Sequence, residues 1–105
     1  MSEMWEILVP CKFEDTQKPV RTKHHRKWDE YVRTISGGLT ILTPAKGQWI
    51  HKEQLYTDRV IPVRVICTED EIGKIIDFTI THYRQIAVLA YRISDKVILK
   101  HAVQV

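Results

Sequence analysis

Four residues in the second half of the chain constrain its fold most: Thr68-Glu69-Asp70-Glu71. A threonine followed three places later by a glutamate is a capping box. The hydroxyl takes the third helical N–H, and the carboxylate returns to the N–H of the cap itself. Three carboxylates in one first turn also suit the positive end of the helix dipole. The box therefore predicts a helix from Glu69. Ile72, Ile75, Ile76, Ile80 and Tyr83 follow at helical spacing, ending near Gln85. Directly before it, Val60 to Cys67 reads as a strand. Pro62 cannot donate to a ladder, so full pairing is expected only from Val63.

The first half repeats this strand–helix grammar. Trp5 to Phe13 alternates with period two, and Ile7-Leu8-Val9 is apolar on both faces, as in an internal strand. Residues 14–20 are a polar loop. A helix follows from Thr22 to Ser36, with Trp28, Tyr31, Val32 and Ile35 as its apolar stripe and Gly37-Gly38 as its stop. A strand over Leu39–Thr43, a turn over Pro44–Gly47, the short run Gln48-Trp49-Ile50 and a polar arm over His51–Arg59 come next. After the second helix, Ile86–Arg92 reads as a strand, Ser94-Asp95-Lys96 as a turn, and Val97–Val103 as an extra C-terminal strand.

The order β-α-β-β-α-β predicts one α+β domain over residues 1–105, of ferredoxin-like type. Right-handed crossovers place both helices on one face of an antiparallel sheet. The other face is left bare although several strands carry apolar residues on both sides, and such a surface seeks a partner. The expectation is a homo-oligomer, with the last strand augmenting a neighbour's sheet.

Composition narrows the function classes. Among 105 residues no long apolar run occurs, so no membrane span is expected. Met1 to Glu6 carries no basic leader pattern, which predicts a cytoplasmic chain. Cys11 and Cys67 are too few for a disulfide framework and read as two buried thiols, a bond between them being the lesser alternative. There is no His-x-x-x-His and no Cys-x-x-Cys, so no metal is predicted. Nucleophile-elbow and phosphate-loop motifs are missing too, and no cofactor is predicted. A net charge of +3 permits an anionic partner without demanding one. The cluster Arg21-Thr22-Lys23-His24-His25-Arg26-Lys27 opens the first helix with the charge sign its dipole disfavours. It reads as an anion site or a solvated basic face. Nucleic acid ranks last among partners, because Val63-Arg64-Val65-Ile66-Cys67 lacks the aromatics of an RNA-binding sheet.

Two resemblances enter here. Gly38 to Trp49 and Gln85-Ile86-Ala87-Val88-Leu89 are similar to the hairpin and last strand of an uncharacterised bacterial family of small ferredoxin-like proteins. Pro62 to Cys67, the acidic helix start after it, Ala87 to Arg92 and the histidine-bearing first helix resemble the phage lyases that degrade S-adenosylmethionine. That resemblance implies a trimer of ferredoxin-like subunits with the ligand held between them. The lyases use a tyrosine on the hairpin arm and a glutamate before the third strand; by spacing those places hold Trp49 and Val60. Tyr56 and Asp58 are the nearby candidates for the catalytic roles. Trp49 or Tyr56 would stack an adenosine-type base, and Lys12, His24 or Arg64 would meet its polar part. The alternatives are a non-enzymatic protein-interaction module and a ligand binder of the PII type.

Overall fold

A computed structural model describes residues 2–103. The elements are β1 (Glu3–Pro10), α1 (Thr22–Ser36), β2 (Thr40–Ile41), β3 (Ala45–His51), β4 (Gln54–Cys67), α2 (Glu69–His82) and β5 (Ala90–Ser94). The sheet order is β2-β4-β1-β5, with β3 also on β4, and the pairings are antiparallel. Counting β2 and β3 as one interrupted strand gives the expected split βαβ arrangement. No helix among the described residues is long and apolar enough to cross a membrane.

One side of the sheet meets the helices. Ile7, Val9, Val63, Val65 and Cys67 are buried there against Trp28 and Val32 of α1, Ile72 and Ile75 of α2, and Tyr83. The Trp28 indole donates to Thr79 Oγ1 at 2.8 Å, and the Thr79 hydroxyl donates to the Ile75 carbonyl at 2.6 Å. The largest core side chain thus carries its polar atom in without leaving it unpaired. Cys67 is buried and Cys11 half-buried, both as free thiols. Burial, with Glu71 and Glu3 nearby, pushes the Cys67 thiol up to about 11, so it acts as a small apolar side chain.

The capping box forms as the sequence predicts. Glu71 N–H donates to Thr68 Oγ1 at 3.1 Å, and Thr68 N–H donates to Glu71 Oε1 at 2.9 Å. Thr68→Ala is expected to cost about 1 kcal/mol, read as a lowered urea midpoint with an unchanged slope. By contrast α1 starts at Arg21 with no side-chain cap and no acid in its first turn. Its other end is conventional: Gly37 takes φ 89°, and its N–H reaches the Arg33 carbonyl at 2.8 Å.

Several boundaries depart from the sequence reading. β1 stops at Pro10 rather than Phe13, and Lys12 makes only an isolated bridge to Pro19. The polar arm over His51–Arg59 is part of the sheet. It turns at Lys52-Glu53, both at positive φ, and returns as the first half of a 14-residue β4. Pairing also continues through Pro62. In an antiparallel strand a residue's N and O face the same neighbour. Pro62 O accepts the Leu42 N–H at 2.9 Å, so its missing N–H faces the gap between β2 and β3. The proline spends no ladder bond because none is offered there. α2 ends at His82, three residues before Gln85, where Arg84 takes φ 52°. Only Ala90–Ser94 of the last region pairs, on β1; residues 97–103 make no ladder with the rest of the described chain.

Candidate functional site

Side chains alternate across a sheet, so register decides which residues share a face. Val63, Val65 and Cys67 of β4 face the helices, which puts Tyr56, Asp58, Val60, Pro62 and Arg64 on the side away from them. The β1 partners on that side are Glu6, opposite Arg64, and Leu8, opposite Pro62. On β3, Gly47 is opposite Asp58 and Trp49 opposite Tyr56. Lys12 reaches in from beyond β1, its Nζ 3.4 Å from Asp58 Oδ1. Five of the sequence-predicted site residues therefore lie along one face: Trp49, Tyr56, Asp58, Lys12 and Arg64. His24 lies elsewhere.

The centre of this face is polar. Glu6 is only 8% exposed, yet it stays ionically paired: Arg64 Nε donates to its Oε1 at 3.1 Å and the Tyr91 hydroxyl to its Oε2. The bond to Glu6 raises the Tyr91 phenol above its ordinary value. Arg64, offered by the sequence as a ligand contact, is thus held by a neighbouring carboxylate. Glu6 and Tyr91 were not legible as site residues, because nothing in their local sequence marks a cross-strand meeting.

Farther out, β3 and the start of β4 form a two-stranded ribbon beyond the helices. Trp49 and Tyr56 stack on one side, ring centres 5.9 Å apart and planes 11° apart. Ile50 and Leu55 are paired on the other, 73% and 58% exposed. Each side of the ribbon thus carries one apolar pair.

At the ribbon's root lies an open cleft of about 520 Å³ lined by Lys12, Lys46, Thr57, Asp58 and Arg59, with Pro44 at its rim. Asp58 is answered by Lys12 and by the Arg59 backbone N–H at 3.3 Å. Thr57 and Arg59 belong here because β4 begins at Gln54. Extending the period-two pattern of Val60–Cys67 back through the arm is the signal that finds them.

His24 joins a different assembly. Its Nε2–H donates to the His82 carbonyl at 2.6 Å, while His82 Nε2–H donates to the His24 carbonyl at 2.8 Å. The two imidazoles stack with centres 3.7 Å apart. Tyr83, fully buried, shares a hydrogen bond between its hydroxyl and His25 Nδ1 at 2.6 Å. This clasp ties the uncapped start of α1 to the end of α2. Burial lowers the His25 imidazole, and the charges of His24 and His82 lower it further. Burial lowers that of His82 too, aided by His24 and Lys27 and opposed by its bond to the His24 backbone. The folded chain then binds fewer protons than the unfolded one, whose imidazoles sit near about 6.5. Stability is full above that value and falls as pH drops from it toward the depressed folded values. Thermal melts from pH 7.5 to 5 are expected to show this decline, and His82→Phe, which keeps a stacked ring, is expected to flatten it.

No family model matches the sequence, and no curated protein matches it. Solved structures do. The chain resembles a divalent cation tolerance protein (Cut A1) from Thermus thermophilus, with TM-score 0.64 and 13% identity over 92% of this chain and 88% of that one. It likewise resembles the periplasmic divalent cation tolerance protein CutA from Archaeoglobus fulgidus, with TM-score 0.69 and 11% identity over 95% and 89%. A phage SAM lyase, solved in complex with S-methyl-5'-thioadenosine, gives TM-score 0.64 and 14% identity over 89% of each chain. The likeness is one of fold. It supports the ferredoxin-like architecture and leaves the chemistry to the residues. Among the described residues no group of three or more metal-ligating side chains converges.

Proposed function

We propose that this chain is a homo-oligomeric binding protein, a trimer as the lyase resemblance implies, holding an adenosine-type ligand where the ribbon of one subunit meets its neighbour. The observation that carries the reading is the ribbon itself. A lone two-stranded hairpin is marginal in water, and one with an exposed apolar pair on each side needs cover. The projecting shape, 57 Å long against 29 and 24 Å, suits an arm that reaches a second copy. Trp49 and Tyr56 supply a flat platform for a base, and Asp58 with its partner Lys12 supplies polar groups on the same side two residue pairs away. The lyase neighbour holds a thioadenosine, which favours the same ligand class here.

The reading is binding without cleavage. Asp58, the carboxylate offered for a sulfonium substrate, is already paired with Lys12. Light scattering is expected to return a multiple of 12.4 kDa, and a monomer at micromolar concentration overturns the assembly. Adenosine and methylthioadenosine are expected to raise the melting temperature by mass action; no shift with either overturns the ligand class. Incubated S-adenosylmethionine is expected to stay intact by mass spectrometry, and release of methylthioadenosine restores the lyase reading. A protein-interaction module is the second reading. It is favoured by Ile98, Leu99 and Val103, exposed in the segment after β5.

A further inference from the structure

We infer that the Ile50–Leu55 side of the ribbon docks on the acidic end of a second copy of this chain, a head-to-tail contact between the two poles of the molecule. The inference rests on the assembly reading above and names the surface that the ribbon meets. Strand alternation puts Lys46, Gln48 and Ile50 of β3 on one side with Leu55, Thr57 and Arg59 of β4. The aliphatic pair lies toward the tip and the cations toward the root. Lys46 and Arg59 are direct cross-strand partners, and neither has an ion-pair partner among the described residues. Like charges placed directly opposite each other in a sheet are destabilising, so this side lacks anions as well as apolar cover.

The far end of β4 carries both. Glu3 is opposite Cys67, and α2 starts directly after that cysteine with Glu69, Asp70 and Glu71. Arg92 Nη1 donates to Glu3 at 2.7 Å. That bond raises its guanidinium, and Asp95 and Glu69 raise it further, so Arg92 stands among several carboxylates. Glu69, Asp70 and Asp95 are exposed and have no ion-pair partner among the described residues. Uncovered aliphatics accompany them. Ser94 pairs with Met4, next to Glu3, and Ile93, Ile98 and Leu99 are exposed on either side of Ser94 along the chain. The molecule is 57 Å long and holds the ribbon and this pole at opposite ends of β4, so neither covers the other within one chain. Between two copies they meet with aliphatic against aliphatic and cation against carboxylate. A contact joining two different surfaces closes into a ring when its rotation allows, as a trimer requires. It also leaves Trp49 and Tyr56, on the ribbon's other side, open to a ligand.

Sedimentation velocity on the full chain, read as an association constant, tests this by charge reversal. Association is expected to weaken about tenfold or more between about 0.05 and 0.5 M salt. Lys46→Glu with Arg59→Glu is expected to weaken it about a hundredfold, and Glu69→Lys with Asp70→Lys likewise. All four changes in one chain restore opposite charges at every contact, and association is expected to return to within about tenfold of the parent. Lysines in the first turn of α2 oppose its dipole, so Glu69→Gln with Asp70→Asn serves as the milder variant, expected to weaken association about tenfold. Circular dichroism checks that each variant keeps its helices. Association indifferent to salt and to both reversals overturns the inference and leaves the homo-oligomer standing. Loss with the ribbon variant alone, or no recovery in the fourfold variant, also overturns it, because the ribbon's cations then meet something other than this pole. Mass that grows without limit as concentration rises upholds the contact and replaces the trimer with an open filament. A monomer under every condition overturns both the docking and the assembly.

Discussion

Trp28→Ala is expected to remove a large share of the protein's stability, about 3–5 kcal/mol. The side chain is 1% exposed, lies between α1, α2 and the sheet, and donates to Thr79. Truncating a buried tryptophan costs about 3–5 kcal/mol, and a domain of this size has about 5–15 kcal/mol in all. Trp28→Phe separates packing from the hydrogen bond. Thr79 still donates to the Ile75 carbonyl, so only its acceptor role is lost and the cost should be much smaller. Urea titration followed by far-ultraviolet circular dichroism reads both variants. An alanine variant within 1 kcal/mol of the parent, by about the usual precision of such fits, would mean the helices do not pack on the sheet through this residue.

The second large effect concerns assembly. Ile50 and Leu55 are cross-strand partners on the ribbon, away from the Trp49–Tyr56 platform. Replacing both with lysine is expected to give a monomer by light scattering while helix content persists. Burying an aliphatic side chain contributes about 1.5–3 kcal/mol, so losing two per contact weakens association by a factor of about 10² to 10⁴. Neither residue touches the core, so the body should melt as before. A double variant that keeps its oligomeric mass places the contact elsewhere, either on the Glu6–Arg64 face or on the exposed apolar residues after β5.

Where the sequence was informative, one physical signal acted alone. The capping box at Thr68–Glu71 places a helix start to the residue, and the stripe of Trp28 and Val32 identifies the buried side of α1. It misled where two signals competed. The polar arm His51 to Arg59 conceals strand pairing, because a ribbon with little body behind it keeps polar residues on both sides. Pro62 reads as an interruption, but only the position of the β2–β3 gap reveals that no donor is needed there. Ile86 to Leu89 has strand composition, yet the strand begins only at Ala90, with Leu89 accepting one bond from the Leu8 N–H. At the site, residue types were legible and proximity was not. Lys12 and Asp58 were both singled out, but their meeting depends on a bend after Pro10. The link between His24 and His82 spans 58 positions, and no local pattern announces it.

The break between β2 and β3 has a bearing on how the ribbon can vary. Because Pro62 offers Leu42 to Pro44 no donor and accepts from the Leu42 N–H, residues could be added or removed there without unpairing β1 from β4. The arm behaves as an attachment whose length and aim can drift independently of the body that carries it. A lineage could then change which neighbour it grips, or what it holds against it, while the helices and core stay as they are.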